Sequence, residues 1–440
     1  MVSVLNKLNK NFLFFDGAMG TMLQISGLKT GELPEELNIR KPEVVYNIHK
    51  KYLEAGSDII SANTFGANRL KFNNSSYTVE EIISVAVKTA KKSTEGLKDK
   101  YVALDIGPIG TLLSPLGTLS FNEAYDIFKE QITAGANAGA DIILFETMTD
   151  IYELKAAILA AKENSKLPVL ATMSFQDNGR TFTGTDVATF VSVAEGLSVD
   201  VLGVNCSLGP NQLQPIVDDI LKYSSIPVMV QANAGLPKYH NNTAYYDIEP
   251  IEYSHEINIM AKKGVAIFGG CCGTTPEYIK SIVNSLAGLK PLEISKKHFT
   301  TTTSSSKTVF LGDEVKIIGE RINPTGKKRL KEALIENNLD YIIREAIFQQ
   351  DTGSDILDIN VGLPDVYEKE MMKKIITEVQ SVVSLPLQID SANYDVIEAA
   401  ARIYNGKPII NSVNGKKESM EKIFPIVKKY GALVVALTLN

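Results

Sequence analysis

The chain has 440 residues, 44% of them hydrophobic, and a formal net charge of -6. With no basic run, that balance argues against a nucleic-acid or anionic-membrane partner, and the length predicts two or three domains rather than one core. Three cysteines are an odd count and a poor disulfide framework, which suits a reducing compartment. The apolar cluster at residues 12–15 is followed at once by Asp16 and is too short for a signal-peptide core. No run approaches the roughly 20 residues of a membrane span, so a cytoplasmic location is expected.

From residue 12 to about 289 one unit recurs: a short apolar run, a turn containing Gly, Asn or Thr, then a helical pattern. The runs are 12–15, 58–62, 101–106, 141–145, 169–174, 201–206, 228–232 and 265–268. Runs this apolar suit strands buried on both faces, and helices between them demand parallel crossovers. Eight such units in about 280 residues predict an α/β fold, a closed (β/α)8 TIM barrel. The rival is a doubly wound open sheet, but no strand-to-helix turn carries G-x-G-x-x-G.

Residues 290–314 change character, with four threonines and three serines in succession from Thr300 to Ser306. A polar stretch without periodicity predicts an interdomain linker. It separates a first domain, 1–289, from a second, 315–440. In the second the pattern resumes with runs at 316–319, 356–359, 386–389, 407–410 and 432–439. Five strands predict a second (β/α) barrel, incomplete as it stands; the alternative is a small open sheet.

In a (β/α)8 barrel, function collects at the C-terminal ends of the strands. Those ends carry Asp16, Asn63, Asp105, Glu146, Ser174, Cys206, Asn233 and the pair Cys271 and Cys272. All three thiols thus occupy one kind of position, one strand apart around the rim. Three thiolates with one displaceable position make a zinc site suited to activating something. The alternatives are three small buried hydrophobes or a vicinal disulfide. Zinc with three thiolates already carries net negative charge, so a substrate thiol joining it loses its proton yet stays nucleophilic. His49, His255 and His298 fall in helix or linker and His240 in a loop, so no histidine is assigned to the metal. Asp16 and Glu146 can hold an ammonium group, the alternative being that each caps the next helix. The turn from Asp16 to Gly20 offers backbone N–H groups to a carboxylate. An amino acid bearing a thiol uses every part.

The motifs Asp16-Gly17-Ala18-Met19-Gly20-Thr21, Gly203-Val204-Asn205-Cys206-Ser207 and Gly269-Gly270-Cys271-Cys272-Gly273-Thr274 resemble the homocysteine S-methyltransferase domain, a zinc barrel. The resemblance spans the first domain. It implies Cys206, Cys271 and Cys272 as zinc ligands, Asp16 and Glu146 as homocysteine contacts, and Asn233 as an oxygen ligand before substrate binds.

Four strand ends of the second domain carry acids or amides: Gly319-Glu320-Arg321-Ile322-Asn323, Asp358-Ile359-Asn360, Gln388-Ile389-Asp390-Ser391 and Ile410-Asn411-Ser412. Such acceptors match the donor-rich edge of a pterin, although single Asp or Asn residues there are usually turn formers. These motifs resemble the pterin-binding barrel that follows the homocysteine barrel in cobalamin-dependent methionine synthases. The resemblance implies folate contacts at Glu320, Asn323, Asp358, Asn360, Asp390 and Asn411. It also implies methyl transfer from 5-methyltetrahydrofolate through cobalamin to homocysteine. Strands six to eight of the folate barrel are not among these residues. No histidine stands in the family's D-x-H-x-x-G motif, so methylcobalamin is expected from a separate cobalamin-binding domain or protein. The alternatives are a methyltransferase using a sulfonium or betaine donor, and a non-catalytic module that holds folate or zinc.

Overall fold

The computed structural model describes residues 4–439 except 9, 30, 237, 241 and 242. By its contacts the chain divides into two units, residues 1–182 with 199–297, and residues 183–198 with 298–440.

The first unit carries β1 (Leu13–Phe14), β2 (Ile59–Ser61), β3 (Tyr101–Ile106), β4 (Ile142–Met148), β5 (Val169–Met173), β6 (Val201–Asn205) and β7 (Val228–Ala232). A small antiparallel hairpin of β8 (Lys238–His240) and β9 (Thr243–Tyr245) then precedes β10 (Ile267–Gly270). Eight of these form one parallel sheet in the order β1-β10-β7-β6-β5-β4-β3-β2, and a parallel bridge between Phe15 and Ile59 joins its two edges. The expected eight-stranded barrel is therefore present.

Every residue of β5, β6 and β7 is buried, as strands covered on both faces must be. Gly203 in β6 has a packing reason, since a Cβ there would collide with the Met229 carbonyl oxygen on β7. Inside the ring Leu13, Ile59, Ala103, Leu170, Val201 and Met229 form one cluster, which Val4 and Leu8 join from the N-terminal segment. That filling leaves the C-terminal ends of the strands for function. Helices are started by local chemistry: Thr78 with Glu81 and Ser120 with Glu123 form reciprocal capping boxes.

Two strands of the first unit end later than the apolar runs imply. β4 continues through Glu146 to Met148, with a register irregularity against β5, and β10 takes in Gly269 and Gly270. His240 lies on β8 rather than in a loop.

In the second unit, β13 (Ile318–Ile322), β14 (Ile356–Ile359), β15 (Leu387–Asp390), β16 (Ile409–Val413) and β17 (Leu433–Ala436) form a parallel sheet in chain order. The Thr/Ser stretch, expected as a structureless linker, forms instead an antiparallel hairpin of β11 (Thr300–Thr303) and β12 (Thr308–Leu311). The reason is physical: threonine is β-branched and favours strands despite its polarity. Thr301 to Ser304 are buried, with the Thr303 backbone paired to Lys407. Val309 of β12 packs on Ile356 and Ile409, where β14 and β16 begin. Among the described residues no helix is long and apolar enough to cross a membrane.

Candidate functional site

Cys206 follows β6, and Cys271 and Cys272 follow β10, the two neighbours of β7. Their sulfurs all lie within 4.8 Å of one another, with Cys206 and Cys272 at 3.9 Å. None is in a disulfide, and S–S bonding would need about 2 Å. Cys206 and Ser207 both adopt left-handed backbone, φ 60° and 57°, which turns the chain sharply after β6. Hydrogen bonds inside the cluster push Cys272 down to about 3 and raise Cys271 well above the usual thiol range. In chemical terms one negative charge is easily held and a second is opposed, which is the state a cation relieves.

The loops around the sulfurs are stitched together. Gly270 N–H donates to Asp16 O at 3.0 Å, Cys271 N–H to Ala232 O at 2.8 Å, Cys206 N–H to Gln231 O at 3.0 Å and Ala234 N–H to Cys272 O at 2.9 Å. Thr274 Oγ1 accepts from Ala18 N–H at 3.2 Å, so that amide of the expected carboxylate-binding turn is already taken. Asn233 is buried, and its Oδ1 has no hydrogen-bond partner. Tyr246 lies against Gly273, whose φ is 84°, and its phenol favours the ionised form of Cys272.

Asp16 and Glu146 do not cap helices. The helix Met19–Ile25 has Ala18 at its cap with no side-chain bond, and Ile151–Asn164 is capped by Asp150. Asp16 is buried and accepts two bonds from Ser61, yet burial still raises it to about 7. Glu146 is raised to about 8, by burial first and then by the charges of Asp16 and Cys272. Asp105, a strand end to which no role was given, joins them. Its Oδ1 is buried and unpaired, and it is raised well above the carboxylate range by burial and then by Glu146 and Asp16. Three neighbouring carboxyls thus oppose one another's ionisation, a strain that a cation would relieve.

In the second unit the predicted residues form pairs along neighbouring strand ends. Asn323 Nδ2 donates to Glu320 Oε1 at 3.1 Å and Asn360 Nδ2 to Asp390 Oδ2 at 2.9 Å. Asp358 Oδ1 accepts from Gln388 Nε2 at 2.6 Å, while Asp358 Oδ2 and Gln388 Oε1 are buried without partners. Burial raises the Asp358 carboxyl to about 6, against the opposing influence of the Gln388 and Asn411 amides. Asn323 and Asn360 in addition form local turns, accepting from Thr325 N–H at 3.0 Å and Gly362 N–H at 2.9 Å. The turn-forming reading therefore holds for both amides.

Sequence reasoning assigned nothing to Asn205, Ser61, Tyr246 or Gln388. Asn205 and Gln388 stood inside the quoted motifs, and that adjacency was the available signal.

The family model described as homocysteine S-methyltransferase matches residues 13–286, and that of pterin binding enzymes matches residues 319–440. Methionine synthase of Mycobacterium tuberculosis is 30% identical over 464 aligned residues, covering 99% of this chain and 39% of its own length. Methionine synthase of Mycobacterium leprae matches with the same identity and coverage. The chain thus spans about two fifths of the length of these relatives. Among solved structures, the metallated form of the homocysteine methyltransferase MmuM from Escherichia coli aligns with a TM-score of 0.54 at 21% identity. That match covers 62% of this chain and 95% of that one, a likeness of fold.

Proposed function

The chain belongs to the homocysteine S-methyltransferase family, and from that premise we propose that its first barrel transfers a methyl group to the sulfur of homocysteine, giving methionine. The observation that carries this reading is the meeting of three sulfurs within 4.8 Å on a barrel rim that also bears Asp16, Asp105 and Glu146.

Zinc fits the donor set. Thiolates bonded to zinc at the usual 2.3 Å stand about 3.8 Å apart in a tetrahedron, close to the 3.9 Å between Cys206 and Cys272. Cys206, Cys271 and Cys272 would hold it, and Asn233 would offer its unpaired oxygen ahead of the substrate. Zinc bound there would keep a substrate thiol deprotonated while the thiolate ligands keep it electron-rich. Asp16 and Glu146 take the ammonium group. Both carboxyls are raised in its absence, so the incoming cation favours their ionised forms.

The donor in this reading is 5-methyltetrahydrofolate, bound in the second unit, with cobalamin as carrier on a separate domain or protein. Support comes from relatives matching along 99% of the chain and from the unpaired acceptors of Asp358 and Gln388, which suit a pterin's donors. Glu320, Asn323, Asn360, Asp390 and Asn411 complete the assigned folate contacts. A cytoplasmic location belongs to the same reading, since all three thiols must stay reduced.

The test is to load the protein with zinc and measure methionine formed from homocysteine with methylcobalamin, betaine or S-methylmethionine as donor. Methionine is expected from methylcobalamin alone. Turnover with a sulfonium or betaine overturns the donor assignment, and binding of zinc and homocysteine without transfer from any donor overturns the catalytic reading.

A further inference from the structure

Asn205, the last residue of β6, is fully buried, and it spends its side chain on distant partners. Its Oδ1 accepts from Thr147 N–H at 2.7 Å and from the Thr172 hydroxyl at 2.8 Å. Its Nδ2 donates to Thr147 Oγ1 at 2.8 Å and faces Cys271 Sγ at 3.9 Å. The orientation of the amide is settled chemically. A backbone N–H can only donate, so the oxygen must face Thr147 N–H and the NH2 must face the sulfur.

These partners lie on β4, on β5 and just after β10, between 33 and 66 positions away. An asparagine that only shaped a turn would bond backbone two or three residues off. Thr147 is β-branched and in left-handed backbone, φ 59°, a conformation that needs outside support. Asn205 supplies it at both the amide and the hydroxyl. The residue before Thr147 is Glu146.

We propose that Asn205 is a positioning residue that fixes the Cys271 sulfur and the Glu146 strand end relative to one another, so that ion binding and substrate-ammonium binding share one support. This rests on reading the three cysteines as an ion site. An N–H directed at a metal-bound sulfur draws electron density from it, as donors behind metal ligands do. Removing that N–H makes the sulfur a stronger electron donor.

Cobalt(II) in place of zinc gives the test, because its sulfur-to-metal absorption band reports on the ligand sulfurs. Asn205→Asp keeps the size and the oxygen for Thr147 N–H and Thr172 but loses the N–H donors. It is expected to move the band to longer wavelength and to weaken homocysteine binding at least tenfold. Thr172→Val, which removes a bond on the far side of the amide, should leave the band in place. A folded Asn205→Asp protein with the wild-type band overturns the proposal. Should that variant not fold, Thr147→Ala decides: homocysteine affinity should fall at least fivefold with the band kept, Thr147→Ser should restore it, and unchanged affinity in Thr147→Ala overturns the proposal. Failure of the underlying reading looks different, since the wild type would then show no sulfur-to-cobalt band at all.

Discussion

Asp16 and Ser61 clasp each other across the seam that closes the first barrel, the Ser61 N–H reaching one carboxylate oxygen at 2.8 Å and its hydroxyl the other at 3.0 Å. This bonding holds the carboxyl in place without using all of its acceptor capacity. Asp16→Asn keeps the shape and removes the charge. Homocysteine binding, measured by calorimetry, should weaken by about 1.5 to 3 kcal/mol, the range for a charged hydrogen bond, with zinc content unchanged. Equal affinity would remove Asp16 from the substrate site.

The three sulfurs should hold about one zinc per chain. Cys206→Ala and Cys272→Ala should each lower the metal content found by elemental analysis after dialysis against a chelator. Retention in full would contradict a three-thiolate site. Homocysteine binding at neutral pH should release a proton, because a free thiol titrates near 8.5 and the metal-held form does not carry its proton. Calorimetry in buffers of different ionisation enthalpy measures that release.

His49, on the helix Pro42–Ala55, is wholly buried with neither ring nitrogen bonded, and burial lowers it from 6.5 to about 4. The unfolded chain therefore binds a proton below 6.5 that the folded chain refuses until about 4. Stability is lost as pH falls through that window and is fully present above it. At pH 5 the loss relative to pH 7.5 is about 2 kcal/mol. Denaturant melts of His49→Leu should lack this component, and an identical pH slope in wild type and variant would contradict it.

Asp358 should govern folate binding through its free oxygen. Asp358→Asn should weaken 5-methyltetrahydrofolate binding by about 1.5 to 3 kcal/mol. Because burial raises this carboxyl to about 6, wild-type affinity should decline as pH drops from 7 to 5 and the acceptor becomes protonated. A fluorescence titration that is flat over that range would argue for another contact.

The ordered hairpin of β11 and β12 changes where the chain is open to proteases. Residues 287–300 are mostly exposed and largely without regular structure, whereas Thr301 to Ser304 are buried. Trypsin should cut after Lys296 or Lys297, since Pro291 protects the bond after Lys290, and leave a fragment of about 300 residues, with cleavage inside the hairpin slower. Mass spectrometry of the early fragments checks the order.

The strands of both units were legible because burial on both faces leaves runs of Val, Ile and Leu with little else to mean. The cysteines were legible because thiols are rare in this chain and each followed such a run. Ser61 and Asn205 were not: their partners lie 33 to 66 positions away, and no local pattern encodes a contact made only once the strands assemble. Thr300 to Thr303 misled for the opposite reason, since hydroxyls look like linker while the branched Cβ favours a strand. Val4 and Leu8 gave no periodic signal, yet they fill the barrel's interior.

Cys206 and Cys272 meet across β7 although they stand 66 positions apart in the chain. An ion gripping both would tie the polypeptide into a ring, and in polymer terms a tie between such distant points removes unfolded conformations worth about 4 kcal/mol, as a disulfide closing the same loop would. The metal would then be a fastener as well as a reagent, made and undone by chelation rather than by redox chemistry. Stripping it would loosen β6, β7 and β10 as a group.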